Sequence, residues 1–295
     1  MEKWRDLVVN FVEKFIDHYL TYFTDSYELI LMFILIPLVL IVGERLTVGW
    51  KDSSMRRLWE PDDNAKNDWA GFLFRYSMLN EILGYGLLLG IALYIPKEIR
   101  FYFGYNLVQQ IPLPIVQAVM FFIVVDFSDY WIHRLEHKSE VLWEMHKMHH
   151  APTRFNVISG LRTNPLSDVS IKRILYALPL AIAGSPVETY IGVYLLRNVM
   201  LSIQHSEFKW SLGWFGRYVL ISPVAHRIHH SVEEEHFNRN LGTVLVWWDK
   251  LFGTWYEPDP NNLPRIGVEG NDLNHPNYLV NIYRSMKAAW YKLFT

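Results

Sequence analysis

The chain contains no cysteine in 295 residues. That absence removes disulfides, zinc–thiolate sites, iron–sulfur clusters and cysteine nucleophiles together. It also lacks any excess of charge. The net charge is −2, with no Lys/Arg-rich arm or stripe to neutralise a phosphate backbone, so nucleic acid is not an expected partner. Pro/Gly/Ser-rich linkers and low-complexity tracts are missing, and the length fits one functional domain. No GxGxxG nucleotide fingerprint and no haem-binding module is found. No charged n-region with an apolar h-region and a cleavage site precedes Trp4, so a removed signal peptide is not expected.

Apolar residues, by contrast, make up 51% of the chain, and aromatic rings 16%, with 12 Trp and 17 Tyr. That ring content suits a membrane–water boundary. Leu29 to Val42, Ile82 to Ile95 and Leu113 to Phe127 are nearly continuous apolar runs. Each falls short of the roughly 20 residues of a clean span, and flanking aromatics extend each towards it. Ile174 to Ala183 and Val187 to Ile203 flank the turn signal Gly184-Ser185-Pro186, which predicts a helical hairpin (174–203) that dips into the bilayer and brings His205 back to the side it left. Trp4 to Leu20 and Tyr278 to Phe294 repeat apolar residues at helical spacing, as interfacial helices do.

Arg45, Lys51, Arg56, Arg57, Lys66 and Arg75 lie between the first two runs, against Lys97 and Arg100 between the second and third. The positive-inside rule puts the first loop, and everything after Phe127, in the cytoplasm. The expected fold is therefore an all-α integral membrane protein of about three to four transmembrane helices or hairpins, capped by a cytoplasmic helical histidine-cluster domain. Residues 1–127 carry the interfacial helix and spans, 128–256 the histidine clusters and the hairpin, and 257–295 a C-terminal interfacial segment.

Nine of the 12 histidines fall in four places: His133 and His137 (HRLEH), His146, His149 and His150 (HKMHH), the single His205, and His226, His229 and His230 (HRIHH). One HxxHH arises by chance in about 0.02 of chains of this composition, so two of them beside an HxxxH are not accidental. Helical spacing places each box on one face, where it can aim its imidazoles at one point. Nine nitrogen donors exceed the four ligands of one tetrahedral metal, so two metals are expected. Imidazole suits zinc, copper, iron and nickel alike, and ligand type does not choose among them. Asp126 and Asp129 lie on the same stripe as His133 and His137, and either can orient a ligand imidazole by accepting its hydrogen bond. Glu136, Glu144 and Glu207 are equally placed to do so. His18 and His275 read as surface residues, while His236 stays open.

The order HxxxH, HxxHH, lone His, HxxHH among hydrophobic runs resembles the fatty acid hydroxylase/sterol desaturase superfamily. The segments DFSDYWIHRLEH, HKMHHAPTRFNVISGLR, SPVAHRIHH and NLGTVLVWWDKLFGTW, within Asp126 to Tyr256, carry the likeness. The third box and the WDKLFGT ending look nearer to the alkylglycerol monooxygenase and bacterial sterol-desaturase-like branch than to the cytochrome-fused fatty acid 2-hydroxylases. Two departures stand out. Relatives often carry Arg-x-His-Pro where this chain has Arg162-Thr163-Asn164-Pro165, and Asp-x-Asn-Tyr-Gly where it has Asn238-Arg239-Asn240-Leu241-Gly242.

The resemblance implies a di-iron centre held by the nine boxed histidines and facing the cytoplasm from a bacterial inner membrane or the endoplasmic reticulum. Asn240, with Asp126 and Asp129, would support the ligands. It further implies O₂ attack on a lipid C–H bond, by hydroxylation, desaturation or ether cleavage. Electrons would come from a separate reductase or other external donor: a ferredoxin, a cytochrome or tetrahydrobiopterin. The rival reading is a membrane metal carrier or sensor using the same clusters. A transporter places ionisable ligands at the bilayer midplane, whereas these histidines gather beyond the ends of nearly charge-free runs. Zinc hydrolysis lacks an HExxH motif, and the ferritin-like bundle's Glu-x-x-His pairs are absent.

Overall fold

Two serines and two prolines set the hinges of the histidine-bearing region. A computed structural model of the chain describes residues 27–77, 79–80, 108, 110–172, 175 and 187–295. The third apolar run opens helix α4 (Pro114–Lys138) with proline in its first turn, where a missing N–H costs nothing. The helix stops at Ser139, whose extended backbone turns the chain and whose Oγ accepts a hydrogen bond from Leu142 N at 3.4 Å, capping α5 (Glu140–His150). One residue thus separates the helices that carry the first two histidine boxes, and the two pack closely on each other. The third box repeats the device. Ser222 caps α8 (Pro223–His229) through Ala225 N at 3.2 Å, with Pro223 at the first helical position.

The remaining described helices are α1 (Tyr27–Val48), α2 (Ser54–Trp59), α3 (Asp63–Arg75), α6 (Val187–Gln204), α7 (Gly213–Tyr218), α9 (Trp247–Leu251) and α10 (Tyr278–Phe294). A π-helical turn covers Ser167–Lys172. No strand occurs among the described residues, only isolated bridges at Leu220–Leu245 and Ser231–Ile266.

Among the described residues α4 is the helix long and apolar enough to cross a membrane. Leu113, Ile115, Val119 and Met120 stand exposed around its first turns. The first run forms the 22-residue α1, and the second arm of the expected hairpin forms α6. The Trp4–Leu20 stretch with His18, the Ile82–Ile95 run, and Ile174–Ala183 with the turn after it lie outside the described residues.

Packing around the cluster region is partly polar. At the end of α1 the buried Glu44 accepts from the backbone N–H of Ser54 and, at 2.7 Å, of Glu207, tying α1, α2 and the segment after α6 together. Helix α10 lies along α5 through Ser285, whose hydroxyl donates to the Glu144 carbonyl at 2.9 Å. Its buried positions are Tyr278, Asn281, Ser285 and Ala289, leaving Leu279, Tyr283, Trp290 and Leu293 facing outward. In α3, Gly71 meets the backbone around Leu161. A Cβ there would sit 2.9 Å from the Arg162 Cα and 3.0 Å from the Leu161 carbonyl oxygen.

Gly71→Ala is therefore expected to destabilise the fold by about 1–3 kcal/mol through overpacking. A thermal melt in detergent checks this: the midpoint drops for Gly71→Ala. It holds or rises for Gly192→Ala in α6, where nothing lies within 4 Å of the added methyl.

Candidate metal centre

The nine boxed histidines come together and divide into two groups. His133 and His137 of α4, His146 and His150 of α5, and His229 of α8 form one. His149, His205, His226 and His230 form the other, and within each the candidate ligand atoms lie within 4.8 Å of one another. Each HxxHH box is split between the groups, not aimed at one point as its spacing suggested. Residues four apart differ by about 40° around a helix and stay together, as His146 with His150 and His226 with His230. The middle histidine is set off by about 60° to the other side, so His149 and His229 each cross to the opposite group. The groups touch through His150 and His230, whose rings stack at 4.1 Å between centroids.

The inward nitrogens are spaced as ligands of a shared ion. Nε2 of His146 lies 3.2 Å from Nε2 of both His133 and His150, and Nε2 of His205 lies 3.1 Å from that of His226 and 3.3 Å from that of His149. Two imidazole nitrogens bound to one metal at about 2.0–2.1 Å, 90–110° apart, sit roughly 2.9–3.4 Å from each other. The Nε2 atoms of His137, His229 and His230 are buried with no hydrogen-bond partner.

The outward nitrogens fix the tautomers. His133 Nδ1 meets the Leu241 carbonyl at 2.8 Å, His205 Nδ1 that of Leu201 at 2.9 Å and His229 Nδ1 that of Arg239 at 3.0 Å. A carbonyl only accepts, so each Nδ1 carries the proton and each Nε2 presents a lone pair. His146 turns Nδ1 to the Glu136 carboxylate at 3.3 Å. His133 thus turns its Nε2 lone pair towards His146 Nε2, 3.2 Å away. Burial, helped by the neighbouring rings, pushes His146, His149, His150, His226 and His230 well below the ordinary imidazole range. Burial also brings His229 down to about 4, although its bond to Arg239 pulls the other way. The ligands are neutral at pH 7, as metal binding needs.

The carboxylates take different parts from those expected. Of the candidates, Glu136 is the one found against a ligand ring among the described contacts. Asp126, which was to accept from a ligand imidazole, instead accepts from Val244 N at 3.0 Å, Leu245 N at 3.1 Å and the Trp248 indole at 2.8 Å. Three donors from one loop outcompete a single imidazole for its two oxygens. Asp129 ion-pairs with Arg197. Glu207 pairs with Arg57 and Arg227, and Glu144 with Lys147.

Asn240, in left-handed backbone at φ 51°, ties the Ala225 and Tyr256 carbonyls together. Asp249 gathers Leu241 N at 2.7 Å, Gly242 N at 2.8 Å and the Thr254 hydroxyl at 2.6 Å. These residues act at one remove: they hold the strap whose Leu241 and Arg239 carbonyls orient His133 and His229. Asn164 bonds Ser285 outside both groups, and His236 bonds Ser231 beside the acids Glu233 and Glu235. His275 accepts from Asn277 N ahead of α10.

Two aromatic rings that sequence reasoning missed close the flanks. Trp143 packs on His137 and His150, with centroids 5.0 and 5.2 Å away, and Phe155 lies 5.1 Å from both His205 and His230. Trp143 precedes His146 and His150 by three and seven residues, a spacing that marks it as sharing their face.

Metal counting tests the division. The purified protein is expected to bind two metal ions per chain, with His150→Ala losing one and His226→Ala the other. Loss of both ions together in either variant, at retained helical content, would speak against two separate groups.

The fatty acid hydroxylase family model matches residues 118–254. Among curated relatives, alkylglycerol monooxygenase of Homo sapiens is 31% identical over 175 residues, covering 59% of this chain and 36% of that protein. Ornithine lipid hydroxylase of Rhizobium tropici is 30% identical over 154 residues, 52% of this chain and 46% of that protein. A Delta(7)-sterol 5(6)-desaturase of Aspergillus fumigatus is 29% identical over 168 residues, 50% of this chain and 51% of that protein. The matched segment spans between about a third and a half of these relatives' length. No solved structure matches the chain. The family match falls on the segment that holds all nine converging histidines, and over residues 118–254 the chain is similar to the fatty acid hydroxylase family.

Proposed function

We propose that the chain is a membrane-bound, non-haem di-iron oxygenase that acts on a lipid C–H bond. The observation that carries this reading is the division of nine imidazoles, seven of them buried, into groups of five and four whose candidate ligand atoms converge, with Nε2 atoms facing one another at the heart of each group. The relatives support it, since they are a monooxygenase, a hydroxylase and a desaturase, two of them named for lipid substrates and one for a sterol.

The donor set fits a metal pair: nine neutral nitrogens, three of them buried and otherwise unpartnered at Nε2. Bound there, two irons would supply the redox chemistry that joins O₂ to an unactivated C–H bond. The chain's own residues do the rest. The carbonyls of Leu241, Leu201 and Arg239 hold protons at Nδ1, which keeps Nε2 free and those rings aimed, and the Glu136 carboxylate lies 3.3 Å from His146 Nδ1. Trp143 and Phe155 exclude water from the flanks. Hydroxylation of R–H to R–OH with O₂ also yields water and consumes two electrons and two protons. With no cofactor module in the sequence, a ferredoxin, cytochrome or pterin outside the chain delivers those electrons.

Substrate entry from the bilayer fits the apolar surface of α4, whose exposed Ile115 and Val119 suit acyl chains better than water. In this reading the apolar turns of α4 sit in the bilayer and the histidine groups face the cytoplasm. The test supplies ¹⁸O₂ and a reductant to membranes with and without the protein and compares their lipids. A hydroxylase puts ¹⁸O into one lipid class, whereas a desaturase leaves a new double bond without label. His149→Ala or His229→Ala should reduce either product to background. Full turnover in either variant would refute the assignment.

A further inference from the structure

Three of the oriented ligand rings lean on backbone carbonyls, which the fold holds in place. His146 differs, because its Nδ1 faces a side chain with three rotatable bonds, and Glu136 must itself be held for His146 to stay aimed. The residues that hold it reach the surface of the cluster region from two other elements. Lys172 Nζ, at the end of the π-helical turn, lies 3.2 Å from Glu136 Oε1 and 3.2 Å from Asp168 Oδ1. The Ser167 hydroxyl reaches the same Glu136 oxygen at 3.5 Å. Asp168 in turn takes Arg75 of α3 at 2.9 Å and the Thr163 hydroxyl at 2.6 Å on its other oxygen. A chain of alternating charge therefore runs from His146 through Glu136, Lys172 and Asp168 to Arg75.

We propose that Lys172, anchored by Asp168 and Arg75, is a positioning residue for the five-histidine group, acting through Glu136 on His146. The inference rests on the two-metal reading above. Burial alone would favour loss of the Lys172 proton, but Asp168 and Glu136 more than offset it and hold the ammonium charged. Without that charge two buried carboxylates would confront each other across the gap, and Glu136 would swing from His146 to relieve the repulsion.

His146 is the ring whose Nε2 faces both His133 and His150, so its release loosens the whole five-histidine group. The four-histidine group contains none of these residues, and its oriented ring, His205, depends on a carbonyl of α6. The effect should therefore be one-sided. A π-helical turn is a common place for a functional departure from regular helix, and here it puts Lys172 and Asp168 on the same side of the turn.

The test uses the full-length protein in detergent, loaded with ⁵⁷Fe(II) without oxygen and dialysed against increasing chelator. Iron per chain and the Mössbauer spectrum are read for the unmodified chain, Lys172→Met and Lys172→Arg. We expect the unmodified chain to keep two irons. Lys172→Met should release one at about 10–100-fold lower chelator while keeping the other with its spectral component unchanged, and Lys172→Arg should restore both. The retained iron doubles as a control that the variant is folded. If Lys172→Met keeps both irons with both components unaltered, or loses both together, the inference is overturned. If the unmodified chain does not hold two irons, the metal-pair reading fails and this inference falls with it.

Discussion

Two imidazole lone pairs pointing at each other across about 3 Å in a buried space repel. His133 is turned towards His146 in that way, its Nδ1 proton spent on the Leu241 carbonyl, while the Glu136 carboxylate lies 3.3 Å from His146 Nδ1. Nothing among the described residues supplies the missing positive charge, and the two orphaned nitrogens of His137 and His229 point to the same need. Metal binding and correct folding of the cluster region are accordingly expected to be linked.

The scaffold meets that demand by holding ligands from behind. A single strap, residues 239–254, supplies two of the orienting carbonyls and is fastened at three points: Asp126 on α4, Asn240 to the end of α8, and Asp249 to its own turn. The one-residue joint at Ser139 sets α4 and α5 side by side, and Ser222-Pro223 does the same for the third box. Because each HxxHH box is split two to one, each group draws on at least three separate segments. Neither group forms unless α4 or α6, α5 and α8 are all in place, so the centre reports on the fold as a whole.

Much of this was legible in the sequence. The count and spacing of histidines identify all nine converging residues, and hydropathy finds the helix that opens at Pro114. Three things were not legible, each for a physical reason. The split of each HxxHH box depends on where the second group lies, since spacing fixes angles around a helix but not what stands on either side. The orienting carbonyls belong to Leu241, Leu201 and Arg239, and every residue has a carbonyl, so composition cannot mark them. Asp126 and Glu136 were indistinguishable as supports because both lie on the inner side of one helix. Which of them meets a ring depends on a loop more than 100 residues away that occupies Asp126 completely.

The outward stripe of α10 and the open face of α4 place apolar and aromatic surface on the same molecule that gathers nine imidazoles, seven of them buried, and a net of charges. That pairing suits a catalyst whose substrate is apolar and whose reagents are not. The proposed di-iron centre needs one ion inside each of these groups. Diffraction from crystals of the iron-loaded protein at the iron absorption edge locates such ions. Two anomalous peaks are expected, one at bonding distance from the ring nitrogens of His133, His137, His146, His150 and His229, the other from those of His149, His205, His226 and His230. A single peak, or two lying away from these nitrogens, would contradict it.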